Sequence, residues 1–220
     1  MSRAEEIAAN VTAVERRISA ACDAASRRRD EVMLVAVTKT FPASDVDHAI
    51  AAGALHAGEN KVQEARDKKP LVTQEARWHL IGHLQSNKAK DAVRLFDVIQ
   101  SIDSIELAEK VARAADAIGK RQEVLLQVNI GRETQKSGAE IDDVASIVKR
   151  IAAMDPLQLT GLMAIPPAGD SRPHFRELKK MRDDLGLPEL SMGMTDDFEE
   201  AIEEGATIVR VGRAIFGARG

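Results

Sequence analysis

The chain has 220 residues, enough for one domain with a full core, and its 44% hydrophobic and 30% charged content is that of a globular protein, which excludes intrinsic disorder. A net charge of −4, with basic clusters no longer than Arg27-Arg28-Arg29, argues against a nucleic-acid binder, and no apolar run reaches the ~18 residues of a membrane helix. The single Cys22 excludes an internal disulfide framework; with an N-terminus that lacks the apolar core of a signal peptide, it predicts a cytoplasmic protein.

Ser2 and Glu5 make a capping box, and Ile7, Val11, Val14, Ile18 and Ala21 share one face of the amphipathic helix that follows. Cys22, in its Ala-rich end, reads as a small buried apolar residue. Apolar runs then alternate with helical patterns. The runs cover 33–37, 54–58, 78–82, 98–102, 124–129, 157–165, 189–193 and 207–211. The helical patterns cover 44–52, 62–69, 87–95, 105–118, 141–154, 173–185 and 196–204. Strands separated by helices, with no hairpin turns, call for a parallel sheet with right-handed crossovers. Eight such units predict an α/β fold, a (β/α)8 barrel forming one domain over 1–220 with an extra N-terminal helix. An open doubly wound sheet is the alternative if a strand is miscounted.

In such a barrel the working face lies at the C-terminal ends of the strands. Lys39 ends the first run, where burial would favour its neutral amine, a nucleophile toward an aldehyde or ketone; the alternative is a lysine that only snorkels to water. After the seventh and eighth runs come Ser191-Met192-Gly193-Met194-Thr195 and Val211-Gly212-Arg213, where hydroxyls and backbone amides suit a phosphate, although a glycine there also suits an ordinary turn. Arg210 lies inside an apolar run and needs an acceptor, either a buried carboxylate or a ligand atom. Asn60 reads as a ligand donor or as a turn residue, and Lys136, in the loop 134–138, as an exposed cation at the same end of the barrel. His79 and His83 have an i, i+4 spacing, but Gly82 and the strand character of the segment argue against a metal site.

A buried amine after the first strand and a phosphate cradle after the last two describe a pyridoxal 5'-phosphate (PLP) site. The segments 36–40, 58–64, 78–88, 161–163, 191–195 and 209–217, in that order, closely resemble the YggS/PROSC family of PLP homeostasis proteins, single-domain relatives of the alanine racemase barrel. The resemblance implies the alanine racemase N-terminal type of barrel, PLP fold type III, with PLP covalently bound to Lys39 as a Schiff base. It also implies that Arg210 faces the pyridine nitrogen, Asn60 lies beside the ring, and Ser191 or Thr195 holds the phosphate with the backbone of Gly212 and Arg213. Met163 joins this cofactor-binding set, which contains no metal ligand and no catalytic residue. Thr38 and Thr195 stand where serine is usual, Ala57 where an aromatic is frequent, and Phe41 where many members carry a second lysine.

Arginine at the ring nitrogen makes PLP a weaker electron sink, and the sequence contains no tyrosine, the residue that serves the racemase relatives from a second domain. The expected function is therefore a carrier or buffer of PLP without turnover, a monomer supplying apo PLP-dependent enzymes. The alternatives are a racemase or lyase whose missing acid or base comes from Lys136, His79 or a partner chain, and a Schiff-base aldolase without cofactor.

Overall fold

Residues 1–133 and 135–218 are described by a computed structural model; Thr134 of the predicted loop lies outside them, as do Arg219 and Gly220. Eight strands form a closed parallel barrel in sequence order: β1 (Met33–Val37), β2 (His56–Glu59), β3 (Arg77–Leu80), β4 (Val98–Ile102), β5 (Gln122–Gln127), β6 (Leu157–Met163), β7 (Glu189–Ser191) and β8 (Ile208–Val211). Closure rests on the β1/β8 ladder, with Met33 opposite Ile208 and Ala36 opposite Val211, and it removes the open-sheet alternative.

The helices are α1 (Arg3–Ala24), α2 (Ala43–Ala51), α3 (Val62–Lys68), α4 (Ala89–Leu95), α5 (Ile105–Asp116), α6 (Val144–Ala152), α7 (Arg172–Asp184), α8 (Phe198–Glu203) and α9 (Arg213–Phe216). Two predicted helices begin instead as 3-10 turns, Ser86–Lys88 and Ile141–Asp143. The strand predicted over 54–58 starts at His56, because Gly53 takes φ +102° and its carbonyl accepts from Leu55 N–H, which keeps that stretch in a turn. The helix predicted over 196–204 starts at Phe198, since the Asp197 carboxylate accepts from Met194 N–H and holds 194–197 as a turn.

The Ser2 and Glu5 capping box forms, and α1 lays Ile7, Val11, Val14 and Ile18 against the barrel helices α2, α8 and α9. Each such side chain contributes ~1.5–3 kcal/mol of burial, so α1 is fastened to the barrel by its apolar face. Cys22 is buried there. Inside the barrel, Val35, Val98, Leu125, Met163 and Ile208 form a separate apolar cluster. The cluster includes Val98 and Ile208, the first residues of β4 and β8, so it lies below the C-terminal strand ends.

Candidate cofactor site

Strand parity aims Lys39. Val35 points into the barrel and Leu34 and Ala36 outward, so Val37 and then Lys39 continue the inward row to the mouth. Thr38 points the other way, donating its hydroxyl to Glu59 Oε1 at 2.7 Å. Lys68 Nζ ties this strand end down with bonds to Thr38 O (2.7 Å), Glu59 Oε1 (2.6 Å) and Glu64 Oε1 (2.9 Å), while Glu64 accepts from Thr40 N–H. Thr40, a β-branched residue, is held at φ +71°, a conformation that such a network must enforce. Burial raises the Glu59 pKa above the ordinary carboxylate range, with Lys68 and Thr38 pulling it down. The sequence reading missed this cluster; its signal was Glu59 at the end of a buried strand, followed by Lys68 at the end of the next helix.

Two adjoining cavities share Val37 and Lys39. The larger, of about 420 Å³, has Asn60, Gly82, Asn129, Lys136 and Arg210 among its walls. The smaller, of about 280 Å³, is lined by Phe41, Gly212, Arg213, Gly217 and Ala218. Lys39 therefore stands between a space bordered by Arg210 and a space bordered by the Gly212–Arg213 backbone. A Cβ on Gly212 would lie 3.2 Å from Val37 Cβ, so the absent side chain keeps that second space open. In α9 the Ile215 and Phe216 amides donate to Gly212 O, whereas the first two amides of a helix have no intrahelical acceptor and can turn to an anion.

Arg210 is almost fully buried, and both of its hydrogen-bond partners are uncharged: Ser191 Oγ at 2.6 Å and Ala164 O at 2.9 Å. The buried carboxylate considered as its partner is thus replaced by neutral groups. Burial lowers its pKa to about 10, with the field of Asp197 opposing, so it remains a cation at neutral pH.

Ser191, a candidate for the phosphate, is instead spent beneath Arg210: its hydroxyl accepts from the guanidinium and donates to Gln100 Oε1 at 2.6 Å. Strand parity turned it into the barrel, below the mouth. Met163 belongs to the apolar cluster inside the barrel. Thr195 is half-buried in the turn before α8, and neither cavity has it, Met163 or Ser191 in its wall. Arg213 pairs with Asp196 at the rim. Phe41 stacks on Phe216 at 4.9 Å and closes the α9 side of the smaller cavity. Lys136 is half-buried in the larger cavity, not simply exposed, and pairs with Glu133 at 2.5 Å. The two histidines do not converge: His79 is inside the barrel, while His83 is at the rim near Asp103 (3.4 Å) and Ser137 (3.2 Å). Among the described residues no group of three His, Cys, Asp or Glu side chains could hold a metal, and no helix is long and apolar enough to cross a membrane.

An amine between an arginine-walled space and a glycine-walled cradle fits a ligand with a carbonyl, a ring acceptor and a phosphate, and PLP has all three. Residues 9–220 match the family model for the alanine racemase N-terminal domain. The PLP homeostasis protein of Pseudomonas aeruginosa is 40% identical over 220 residues, covering 97% of this chain and 96% of its own. PipY of Synechococcus elongatus PCC7942, solved with PLP bound, superimposes with a TM-score of 0.85 at 35% identity, over 96% of this chain and 100% of PipY. An alanine racemase from Clostridium difficile 630 has the same fold, with a TM-score of 0.76 at 11% identity, over 98% of this chain and 57% of the racemase. The chain therefore belongs to the alanine racemase N-terminal domain family and, within it, to the PLP homeostasis proteins.

Proposed function

We propose that this protein holds PLP covalently on the Lys39 amine and serves PLP homeostasis as a cytoplasmic, monomeric carrier without turnover. The observation that carries the reading is the position of Lys39, common to the wall of the Arg210 cavity and that of the Gly212 cradle. When bound, PLP supplies an aldehyde that condenses reversibly with an amine. Arg210 offers the ring nitrogen a donor that stays charged and so keeps that nitrogen unprotonated, which weakens electron withdrawal from any substrate bond. Asn60, in the wall of the larger cavity, would lie beside the ring, and the Gly212 and Arg213 amides, in the wall of the smaller, would hold the phosphate.

Turnover would need a placed acid and base. The sequence has no tyrosine, Lys136 is engaged by Glu133, and His83 is open to water. A site of this kind suits storing a reactive aldehyde and passing it to apo PLP-dependent enzymes. Racemase or lyase action remains the second reading because Lys136 and His83 do line the larger cavity.

Absorbance of the purified protein with PLP tests both. The wild type should gain a visible band that borohydride bleaches, with the added mass on Lys39; Lys39→Ala should lose the band and keep its circular dichroism. A band retained in Lys39→Ala refutes the tether. Amino-acid turnover by the wild type near ~1 s⁻¹ or faster refutes the carrier.

A further inference from the structure

A file of polar side chains runs down the barrel from the cofactor cavity, past the apolar cluster of Val35, Val98, Leu125, Met163 and Ile208. Arg210 (β8), Ser191 (β7), Gln100 (β4) and His79 (β3) are exposed by only 3%, 0%, 0% and 1%. Arg210 Nη1 donates to Ser191 Oγ at 2.6 Å, and Ser191 donates to Gln100 Oε1 at 2.6 Å. Gln100 Nε2 then meets His79 Nδ1 at 3.0 Å, and His79 Nε2 meets His56 Nδ1 at 2.9 Å. His56, on β2, is half-buried and lines a cavity of about 1070 Å³ at the opposite end of the barrel.

Two features set the direction of every bond: the Arg210 guanidinium only donates, and Gln100 turns its Oε1 to Ser191 and its Nε2 to His79. A guanidinium only donates, so Ser191 accepts from it and passes its own single hydrogen to Gln100 Oε1. Gln100 then presents its amide N–H to His79, whose Nδ1 must be bare and whose Nε2 must carry the ring proton. A second proton on His79 would set N–H against N–H. Burial agrees, lowering the His79 pKa to about 3, with the fields of His56 and Arg77 adding to it.

We infer that Ser191, Gln100 and His79 are positioning residues for Arg210. Their chain, fixed in one direction, holds the guanidinium in orientation at the cavity wall before a ligand arrives, with only two of its five N–H groups consumed. The identity of the ligand rests on the cofactor reading above; the chain of bonds does not. A file that served stability alone would leave the bound cofactor's spectrum and affinity unchanged when it was cut.

His79→Leu and His79→Asn separate these roles, because the Asn carbonyl oxygen stands about where Nδ1 does and still accepts from Gln100. With His79→Leu, PLP affinity should fall about tenfold, the effect of one lost hydrogen bond to a charged group's support, and the bound absorption maximum should shift. His79→Asn should keep the wild-type spectrum and most of the affinity. Equal losses in the two variants, or wild-type binding in both, overturn the inference. Nitrogen-15 shifts of the unsubstituted, cofactor-free protein are the second measure and need no variant to fold. His79 should show a bare Nδ1 and a protonated Nε2 from about pH 5 to 8; an Nδ1–H tautomer or an imidazolium there overturns the inference. Wild type showing this tautomer while taking up no PLP would support the chain and refute the cofactor reading.

Discussion

Acid weakens this protein through the histidine at the barrel's centre. Burial lowers the His79 pKa from 6.5 to about 3, so between those values the unfolded chain binds a proton that the folded chain refuses. The stabilisation is fully present above about pH 6.5 and drains away as pH falls toward 3. At ~1.36 kcal/mol per pH unit the whole span is ~5 kcal/mol, of which ~3 kcal/mol is gone by pH 4.5. His56, lowered by burial and by Arg77, acts in the same sense. Glu204, held low by Arg176, and Asp183, held low by Lys179, lose their contributions only below the ordinary carboxylate range, so the window from pH 7 to 4.5 belongs mainly to the histidines. Glu59, raised by burial, titrates the opposite way, and it does so equally in a comparison variant. The assay is urea unfolding of wild type and His79→Asn at pH 7 and 4.5, followed by circular dichroism. With a slope of ~3 kcal/mol/M, the wild-type midpoint should fall by about 1 M, and the variant's by much less. Equal falls in the two proteins, or no fall in the wild type, refute the reasoning.

Two further outcomes follow from the walls of the site. Lys68→Met strands the Glu59 carboxylate, which is buried completely, and should cost about 3–5 kcal/mol at pH 7, with part regained in Lys68→Met/Glu59→Gln; a loss below ~1 kcal/mol in denaturant titration contradicts the assigned network. Gly82→Ala would place a Cβ 2.3 Å from Asn60 O and 2.7 Å from Asn60 Cα, so the Asn60 loop must move. A loss of about 1–3 kcal/mol and weaker PLP binding are expected, and a melting curve unchanged with and without PLP would refute that packing.

The barrel was legible because eight apolar runs alternate with helical periods, and Lys39 because it is a lone cation ending the first run; that Val35 and Val37 share its inward face shows only in the structure. Arg210 was legible as a cation inside an apolar run, but its partners were not. Ser191 reads as a strand-end hydroxyl suited to phosphate; only the closed barrel shows that its side of β7 faces Arg210, 19 positions away in sequence. Gln100 is the one signal that was available, a polar residue in the run 98–102, yet its two partners are 21 and 91 positions away and meet it only through closure. His79 was weighed against His83 because local spacing is what a sequence displays. Its actual neighbour, His56, lies across the β2/β3 ladder.

Arg210 and the missing tyrosine point the same way for separate reasons. A guanidinium buried among neutral acceptors is disfavoured in the cofactor-free protein, which is why its pKa falls to about 10. On the proposed PLP reading, a ring nitrogen with a free lone pair and a phosphate dianion would relieve that cost, so binding would draw on a charge that no carboxylate pairs directly. Lys39, Arg210 and Lys136 gather around one cavity in a chain whose net charge is −4, which concentrates positive potential where an anion must enter. The same charge would oppose protonation of the ring nitrogen and with it the electron flow that carbanion chemistry needs. On that reading affinity and reactivity would be set against each other at Arg210, and in a sequence without tyrosine the balance would lie with holding the cofactor.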